Sequence, residues 1–318
     1  MVGKQNIPLV DLSDWLAGGE ARGRFIRTVG ESLADIGFFA VKNHGISEDL
    51  TRAAYENAKA FFSLPLPAKQ KYVCGAAGQR GYTSFGTEHA KDSKAPDLKE
   101  FWQIGRPDVP DDHPVHRDFG ANVWPDADVP KFRQVMTALY EGLDGLGAIM
   151  LQAAAAHLGE APGYFSEMAT QSDTIVRVLY YPPVGNAAPA GAVRSAAHED
   201  INLITLLSGA TSEGLELLQR DGTWMPVHTG FDTIVVDSGD MLQNLTNGYY
   251  RSTTHRVVNP KDPNAERFSM PCFIHPRREL SLAPIASALE RTGGAAKYPT
   301  ITSGEYLEQR LREIGLTK

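Results

Sequence analysis

The sequence predicts an α+β fold, with a mostly helical first part leaning on an antiparallel β-core of the jelly-roll kind and a helix closing the chain. Two observations carry this. Before residue 160 the long apolar patterns have helical spacing, and after Asp173 the chain breaks into seven short β-branched runs separated by turn signals. Short strands at that spacing belong to a sandwich or barrel. A length of 318 residues exceeds the usual single domain, although β-barrels with helical decoration run this long as one unit.

The elements follow in order. Residues 20–36 place Phe25, Val29, Leu33 and Ile36 on one helical face, and Gly37 ends the pattern. GFFAVKNHG (37–45) reads as a strand. Ser47 is a helix N-cap, and its helix runs to about Ser63. Residues 75–125, rich in Gly, Pro, Asp and His, read as long loops with one short strand at FWQIG, and a long helix at about 128–158 follows. The seven runs are TIVRVLYY, INLITLLSG, GLELLQ, TWMPV, DTIVVDSG, TTHRVVN and RFSMPCFI, with a hairpin turn at Arg220-Asp221-Gly222 between the third and fourth. Thr302 and Glu305 form a capping box before the closing helix EYLEQRLREIG. The expected division is 1–125, a helical and loop region, and 126–318, the long helix plus the β-core, joined as one continuous unit.

Composition narrows the function. Hydrophobic content of 42%, charged content of 22% and a net charge of −7 describe a soluble protein without the basic stripe that nucleic acid requires. Two cysteines, Cys74 and Cys272, make neither a disulfide framework nor a cysteine zinc site, and they fit a reducing cytoplasm. The opening MVGKQNIPLVDLSDW is not a signal peptide, and the uncharged run 145–159 is too short to span a bilayer.

The chemistry concentrates at SAAHEDINLITLLSG, residues 195–209. On a strand, residues i and i+2 share a face, so His198 and Asp200 look one way and Glu199 the other. His255 lies in a later strand among Thr and Val. Two imidazoles and one carboxylate make the facial triad that suits non-haem Fe(II), leaving positions open for substrate and O2. A His-x-Asp pair by itself is common on surfaces, and His255 by itself reads as a hydrogen-bonded strand histidine. The company they keep favours the metal. Arg267 and Ser269 form another i, i+2 pair in an apolar strand, where an inward guanidinium is costly unless an anion meets it. A structural carboxylate is one such anion and a ligand carboxylate, matched by the guanidinium fork, is the other.

HEDINLITLL, GDMLQNLTNGYYRSTTHRVV and ERFSMPCFIHP resemble the isopenicillin N synthase-like family of Fe(II)/2-oxoglutarate-dependent dioxygenases. IPLVDLSDW, LADIGFFAVKNHGIS, AFFSLPLPAKQKY, GQRGYTSFG, KEFWQIG and NVWP resemble the region that precedes the core in that family, so the likeness runs from residue 7 to about 280. It implies a double-stranded β-helix, with His198, Asp200 and His255 as iron ligands and Arg267 and Ser269 on the distal carboxylate of 2-oxoglutarate. Tyr181 falls where the family places a residue touching co-substrate or substrate, although the chain reads Leu-Tyr-Tyr-Pro in place of the Asn-Tyr-Tyr-Pro of many plant members. Arg177, four residues earlier, matches an arginine that reaches the active site in some relatives; a structural ion pair is its plainer role.

The implied reaction consumes O2 and 2-oxoglutarate, releases succinate and CO2, and oxidises a small molecule, by hydroxylation or by desaturation or ring closure. Isopenicillin N synthase itself shares HEDxxLIT and uses its Arg-x-Ser pair for a substrate carboxylate, so an oxidase working without 2-oxoglutarate is the alternative. A zinc hydrolase would use the same ligand set but leave the Arg267–Ser269 pair without a purpose. A barrel that has lost catalysis would not need the ligands intact. The expected substrate is amino-acid-like, with Glu88 meeting a basic group, unless that residue is only a solvated loop charge. Phe273, Gln243 and Leu203 are the expected lining residues. No nucleic acid and no membrane is expected as a partner.

Overall fold

Side-chain alternation along two facing sheets decides what each layer of the molecule does. The fold comes from a computed structural model, which describes residues 7–74, 78–88, 97–107, 109–110, 112–183, 193–228, 230–262, 264–314 and 316. The chain opens with β1 (Leu9–Asp11), α1 (Leu12–Ala17), α2 (Gly19–Asp35), β2 (Phe38–Lys42), α3 (Glu48–Phe62) and α4 (Leu66–Gln70). Then come β3 (Gly81–Thr83), β4 (Glu100–Ile104), α5 (Phe132–Leu158) and α6 (Gly163–Met168). The β-rich part holds β5 (Ile175–Tyr181), β6 (Ser195–His198), β7 (Ile204–Ser208), β8 (Leu215–Leu218), β9 (Trp224–Pro226) and β10 (Thr233–Ser238). The short helix α7 (Asp240–Leu245) separates these from β11 (His255–Val257) and β12 (Arg267–Ile274), and α8 (Ala286–Arg291) and α9 (Ser303–Glu313) close the chain.

Local chemistry sets the helix ends. The Ser47 hydroxyl accepts from the Leu50 amide at 3.1 Å, and Thr302 and Glu305 cap each other reciprocally. Gly37 follows α2 at φ 74°, a left-handed conformation that glycine adopts without strain.

The larger sheet runs β1-β2-β10-β7-β12-β5-β4-β3, all antiparallel except the β1–β2 pair, and the smaller runs β6-β11-β8-β9. Strands of the first part therefore occupy both ends of the sheet that the second part builds. On β12, Phe268, Met270, Cys272 and Ile274 join the core against the helices, while Arg267, Ser269, Pro271 and Phe273 line a cavity between the sheets. Ile204 and Leu206, Ile234 and Val236, Val176 and Val178 repeat the outward role on β7, β10 and β5; Thr205 and Leu207, Val235 and Asp237, Arg177, Leu179 and Tyr181 repeat the inward one. With both faces covered, these strands read as nearly continuous apolar runs. The result is the jelly-roll core of an α+β fold.

The sequence missed one core strand: eight, not seven, lie from β5 onward. β6 has a half-buried, alanine-rich sequence without β-branched residues, and pairing with β11 is what makes it a strand. The strand at INLITLLSG begins only at Ile204, because residues 199–203 turn away from β6 toward the larger sheet.

Candidate active site

His198 ends β6 and His255 begins β11, and the two are register partners in the smaller sheet, so their rings lie 4.5 Å apart between centroids. Asp200 stands just beyond β6, in the connection to the larger sheet. Its Oδ1 is 3.8 Å from His198 Nε2 and 3.7 Å from His255 Nε2, and the ligand atoms of all three residues lie within 4.8 Å of one another. Each ring is anchored from behind: Nδ1 of His198 meets the Ala196 carbonyl at 2.7 Å and Nδ1 of His255 meets that of Thr253 at 3.2 Å. A proton on each Nδ1 leaves both Nε2 lone pairs facing Asp200. Loss of solvent and the neighbouring His255 hold His198 below its usual pKa, against the attraction of Asp200, so it is neutral and ready to ligate near pH 7.

The connection carrying Asp200 is tied down from several sides. The Thr205 hydroxyl donates to Asp200 Oδ2. The Asp240 amide, at the start of α7, donates to the Asp200 carbonyl at 2.7 Å, and the Met241 amide to that of Asn202 at 3.1 Å. This approach needs Gly239, since a Cβ there would sit 2.3 Å from the Asn202 carbonyl oxygen. Asp237 on β10 is driven well above the carboxylate range by burial and then by the adjacent Asp200 charge, and it shares a hydrogen bond with Asp200.

Two cavities meet at the triad. The inner one, about 80 Å³, reaches from His198, Asp200 and His255 to Arg267, Ser269 and Tyr181. The Arg267 side chain is 1% exposed; it donates to the Ser212 carbonyl at 3.1 Å and to Ser269 Oγ at 3.0 Å, and lies 5.3 Å from the Tyr181 ring centre. Burial lowers its pKa, and no carboxylate opposes that. Among the described residues it has no Asp or Glu partner, so the structural salt bridge that sequence left open is absent there. Arg194, fully buried beside Tyr181, has no partner for Nε or Nη1 among the described residues and repels Arg267. This second guanidinium gives no motif signal.

The outer cavity, about 390 Å³, shares His198, Asp200, Arg177, Lys99 and Phe273 with the inner one and is walled on its far side by Leu307, Arg310 and Leu311 of α9. Phe273 lines both, as the alternation along β12 requires. Glu88 and Arg177 line the outer cavity but face each other: Arg177 Nη1 lies 3.1 Å from both Glu88 oxygens, and its Nε donates to Gln103 at 2.7 Å. Lys99 adds a 3.1 Å contact to Glu88 and one of 2.8 Å to Asp97. Burial opposes ionisation of Glu88, but Arg177 and Lys99 outweigh it and hold its pKa at about 2. Its negative charge is thus spent inside the protein, which corrects the expectation that it would meet a basic group of the substrate.

Two other expectations also need correction. Leu203 is fully buried in the core against the helices, its side chain carried there as the chain crosses between sheets. Gln243 sits on α7, turned toward the following turn, where its Oε1 accepts from the Ser252 amide at 3.0 Å. Neither is among the described residues that line these two cavities. Glu199 Oε1 accepts from the Thr254 hydroxyl and, with β6 already ended, Glu199 also borders the outer cavity.

The family model for the N-terminal region of the non-haem dioxygenase in morphine synthesis matches residues 7–127, and the 2OG-Fe(II) oxygenase superfamily model matches residues 172–276. A 2-oxoglutarate-dependent dioxygenase of Monascus ruber, citB, is 31% identical over 96% of this chain and 94% of its own length. The chain belongs to the 2OG-Fe(II) oxygenase superfamily. It is an Fe(II)- and 2-oxoglutarate-dependent dioxygenase, an oxidoreductase using O2, as the resemblance implied. A crystal structure of a 2OG-Fe(II) oxygenase family protein from Caulobacter crescentus has a TM-score of 0.86 at 37% identity, covering 98% of this chain and 99% of that one. A full-length Neurospora crassa protein, crystallised in complex with alpha-KG, has a TM-score of 0.85 at 29% identity, covering 98% and 97%. The His198–Asp200–His255 donor set fits the iron of such an oxygenase: three protein ligands on one side, with cavity on the other.

Proposed function

We propose that His198, Asp200 and His255 hold the Fe(II) and that Arg267 and Ser269 hold the distal carboxylate of 2-oxoglutarate in the inner cavity. The substrate, a small molecule, would occupy the outer cavity and be hydroxylated at a C–H bond. One observation carries the reading: a buried arginine without a carboxylate partner lines the same cavity as the triad. The metal, once bound, supplies O2 activation coupled to oxidative decarboxylation of the keto acid to succinate and CO2. The protein's own share is positional. Ala196 and Thr253 fix which ring nitrogens are free, Thr205 and α7 fix Asp200, and Ser269 and the Ser212 carbonyl fix the Arg267 fork. Tyr181, packed on that guanidinium, completes the wall of the co-substrate pocket.

As to substrate class, an enzyme named proline hydroxylase from Petromyces alliaceus is 32% identical over 95% of this chain, which supports an amino-acid-like compound; the Glu88 pairing speaks against a basic group resting there. A cytoplasmic location accords with the two-cysteine composition, and among the described residues no helix is long and apolar enough to cross a membrane.

The test is anaerobic addition of Fe(II) and 2-oxoglutarate to the full chain, watching for the visible metal-to-ligand charge-transfer band. The band is expected in the wild type, and Arg267→Ala should weaken 2-oxoglutarate binding by at least tenfold while circular dichroism stays unchanged. A wild type without the band, or an Arg267→Ala protein that binds 2-oxoglutarate normally, refutes the assignment and favours an oxidase that uses the arginine for a substrate carboxylate.

A further inference from the structure

Among the described residues of the outer cavity, the buried His275 imidazole stands without a hydrogen-bond partner. His275, directly after β12, is 6% exposed and lines the cavity; its backbone amide is bound to Thr174 Oγ1 at 3.3 Å. Nδ1 of the ring is sealed and out of a ligand's reach, which leaves Nε2 as the nitrogen that can meet one. A ring nitrogen that borders the cavity without a protein partner is stabilised by a polar group that reaches it from there, and for this ring that nitrogen is Nε2. Burial, with help from Arg278 and Arg177 and against the pull of Asp200, holds the ring down to about 4, which keeps it uncharged near pH 7.

The charges around His275 are nearly all matched. Arg177 and Lys99 are matched by Glu88 and Asp97, and Arg310 by Asp240 at 3.3 Å and Glu313 at 2.9 Å. An incoming carboxylate therefore meets no unmatched cation among the described residues of the lining. An incoming ammonium meets only the half-buried Glu199, already bonded to Thr254. The rest of the described lining is uncharged and mostly apolar: Ile175, Ile201, Phe273, Leu307, Leu311 and Ile314 outnumber the polar Gln79, Ser195 and Asn202. A volume of about 390 Å³ lies at the small end of ligand pockets.

We infer that the outer cavity takes an uncharged, largely apolar small molecule whose polar group hydrogen-bonds to His275. This rests on the dioxygenase reading and narrows its amino-acid-like substrate class to compounds whose amino and carboxyl groups are not free, since a free amino acid carries both charges. A neutral imidazole donates from one nitrogen and accepts at the other, so an amide, lactam or phenol suits it.

The experiment loads the full chain with Mn(II) and 2-oxoglutarate and titrates three probes by calorimetry: 2-quinolinone (an uncharged lactam), quinoline-2-carboxylate and tryptamine. The lactam is expected to bind at least tenfold more tightly than either charged probe. His275→Leu should weaken it at least tenfold, and His275→Gln, which keeps a hydrogen-bonding group, should recover most of that loss. Both variants should retain the charge-transfer band with Fe(II) and 2-oxoglutarate, which reports an intact metal site. The inference is overturned if a charged probe binds as tightly as the lactam, if the lactam does not bind, or if His275→Leu binds it like the wild type. A missing band in the wild type removes the dioxygenase reading itself; a normal band with the probe order reversed removes only the substrate class.

Discussion

The Thr205 hydroxyl donates to Asp200 Oδ2, the carboxylate oxygen that faces away from the two imidazoles, and is itself held by Asn202 at 3.0 Å. Removing that donor frees the carboxylate to rotate and leaves a buried oxygen poorly satisfied. Partners behind metal ligands are typically worth 10–100-fold in metal affinity. Thr205→Val, which keeps the shape, should therefore weaken Mn(II) binding by roughly tenfold or more in a chelator competition, and an unchanged affinity would rule out this role. Residues of this kind divide by how visible they are in sequence. His198, Asp200, His255, Arg267 and Ser269 stand out because apolar runs tolerate such groups only with a partner. The strand period correctly places Arg267 and Ser269 on one face, whereas Asp200 reaches the histidines from a connection beyond β6. Glu88 does not reveal its partner, because Arg177 is 89 positions away and a loop carboxylate looks the same paired or free. Gln243 and Leu203 escape the pattern because face assignment fails where the chain leaves its strand.

At the scale of elements, helix α2 crosses α5 at Gly30, and the space a side chain would need is taken. A Cβ at Gly30 would lie 1.9 Å from Cγ of His157, whose Nε2 is held by the Tyr249 hydroxyl at 3.2 Å. Forcing carbon into a packed contact costs typically 1–3 kcal/mol, which exceeds the gain of up to about 1 kcal/mol in helix propensity. Gly30→Ala is expected to lower the urea midpoint, whereas Gly23→Ala on the same helix, with only Arg27 Nη1 at 3.7 Å, should leave it unchanged or raise it. Equal effects at the two positions would remove the close crossing as the cause. The helices and most strands are legible in sequence because their apolar periods are long. β6 is not, since its stability comes from β11 and not from its own residues. The apolar stripe of α9 at Leu307 and Leu311, continued by Ile314 just past its end, is plain in sequence, but that it covers the outer cavity depends on long-range packing that no local pattern encodes.

Over the whole molecule, three separate stretches of chain meet at Arg278: its guanidinium contacts Asp118 at 2.8 Å, Glu308 of α9 at 2.6 Å and Asp173, ahead of β5, at 3.8 Å. Asp173 is 5% exposed, and neither of its oxygens has a hydrogen bond. Burial raises its pKa from 3.8 to about 6, with Arg278 and Arg80 pulling the other way. The folded protein thus holds this proton at pH values where the unfolded chain has already released it. Between about pH 4 and pH 6 the native state binds more protons, so this group makes stability fall as pH rises, and above pH 6 the full cost is present. The move from 3.8 to about 6 corresponds to roughly 3 kcal/mol. Asp173→Asn keeps the shape and cannot ionise. Urea unfolding of the two proteins should then give nearly equal stabilities at pH 4, with the variant gaining steadily up to pH 6 and holding an advantage of up to about 3 kcal/mol at pH 7. Parallel curves across that range would mean that Asp173 ionises in the native state as readily as in the unfolded chain, and that its meeting with Arg278 and Arg80 is already worth as much as the water it gave up.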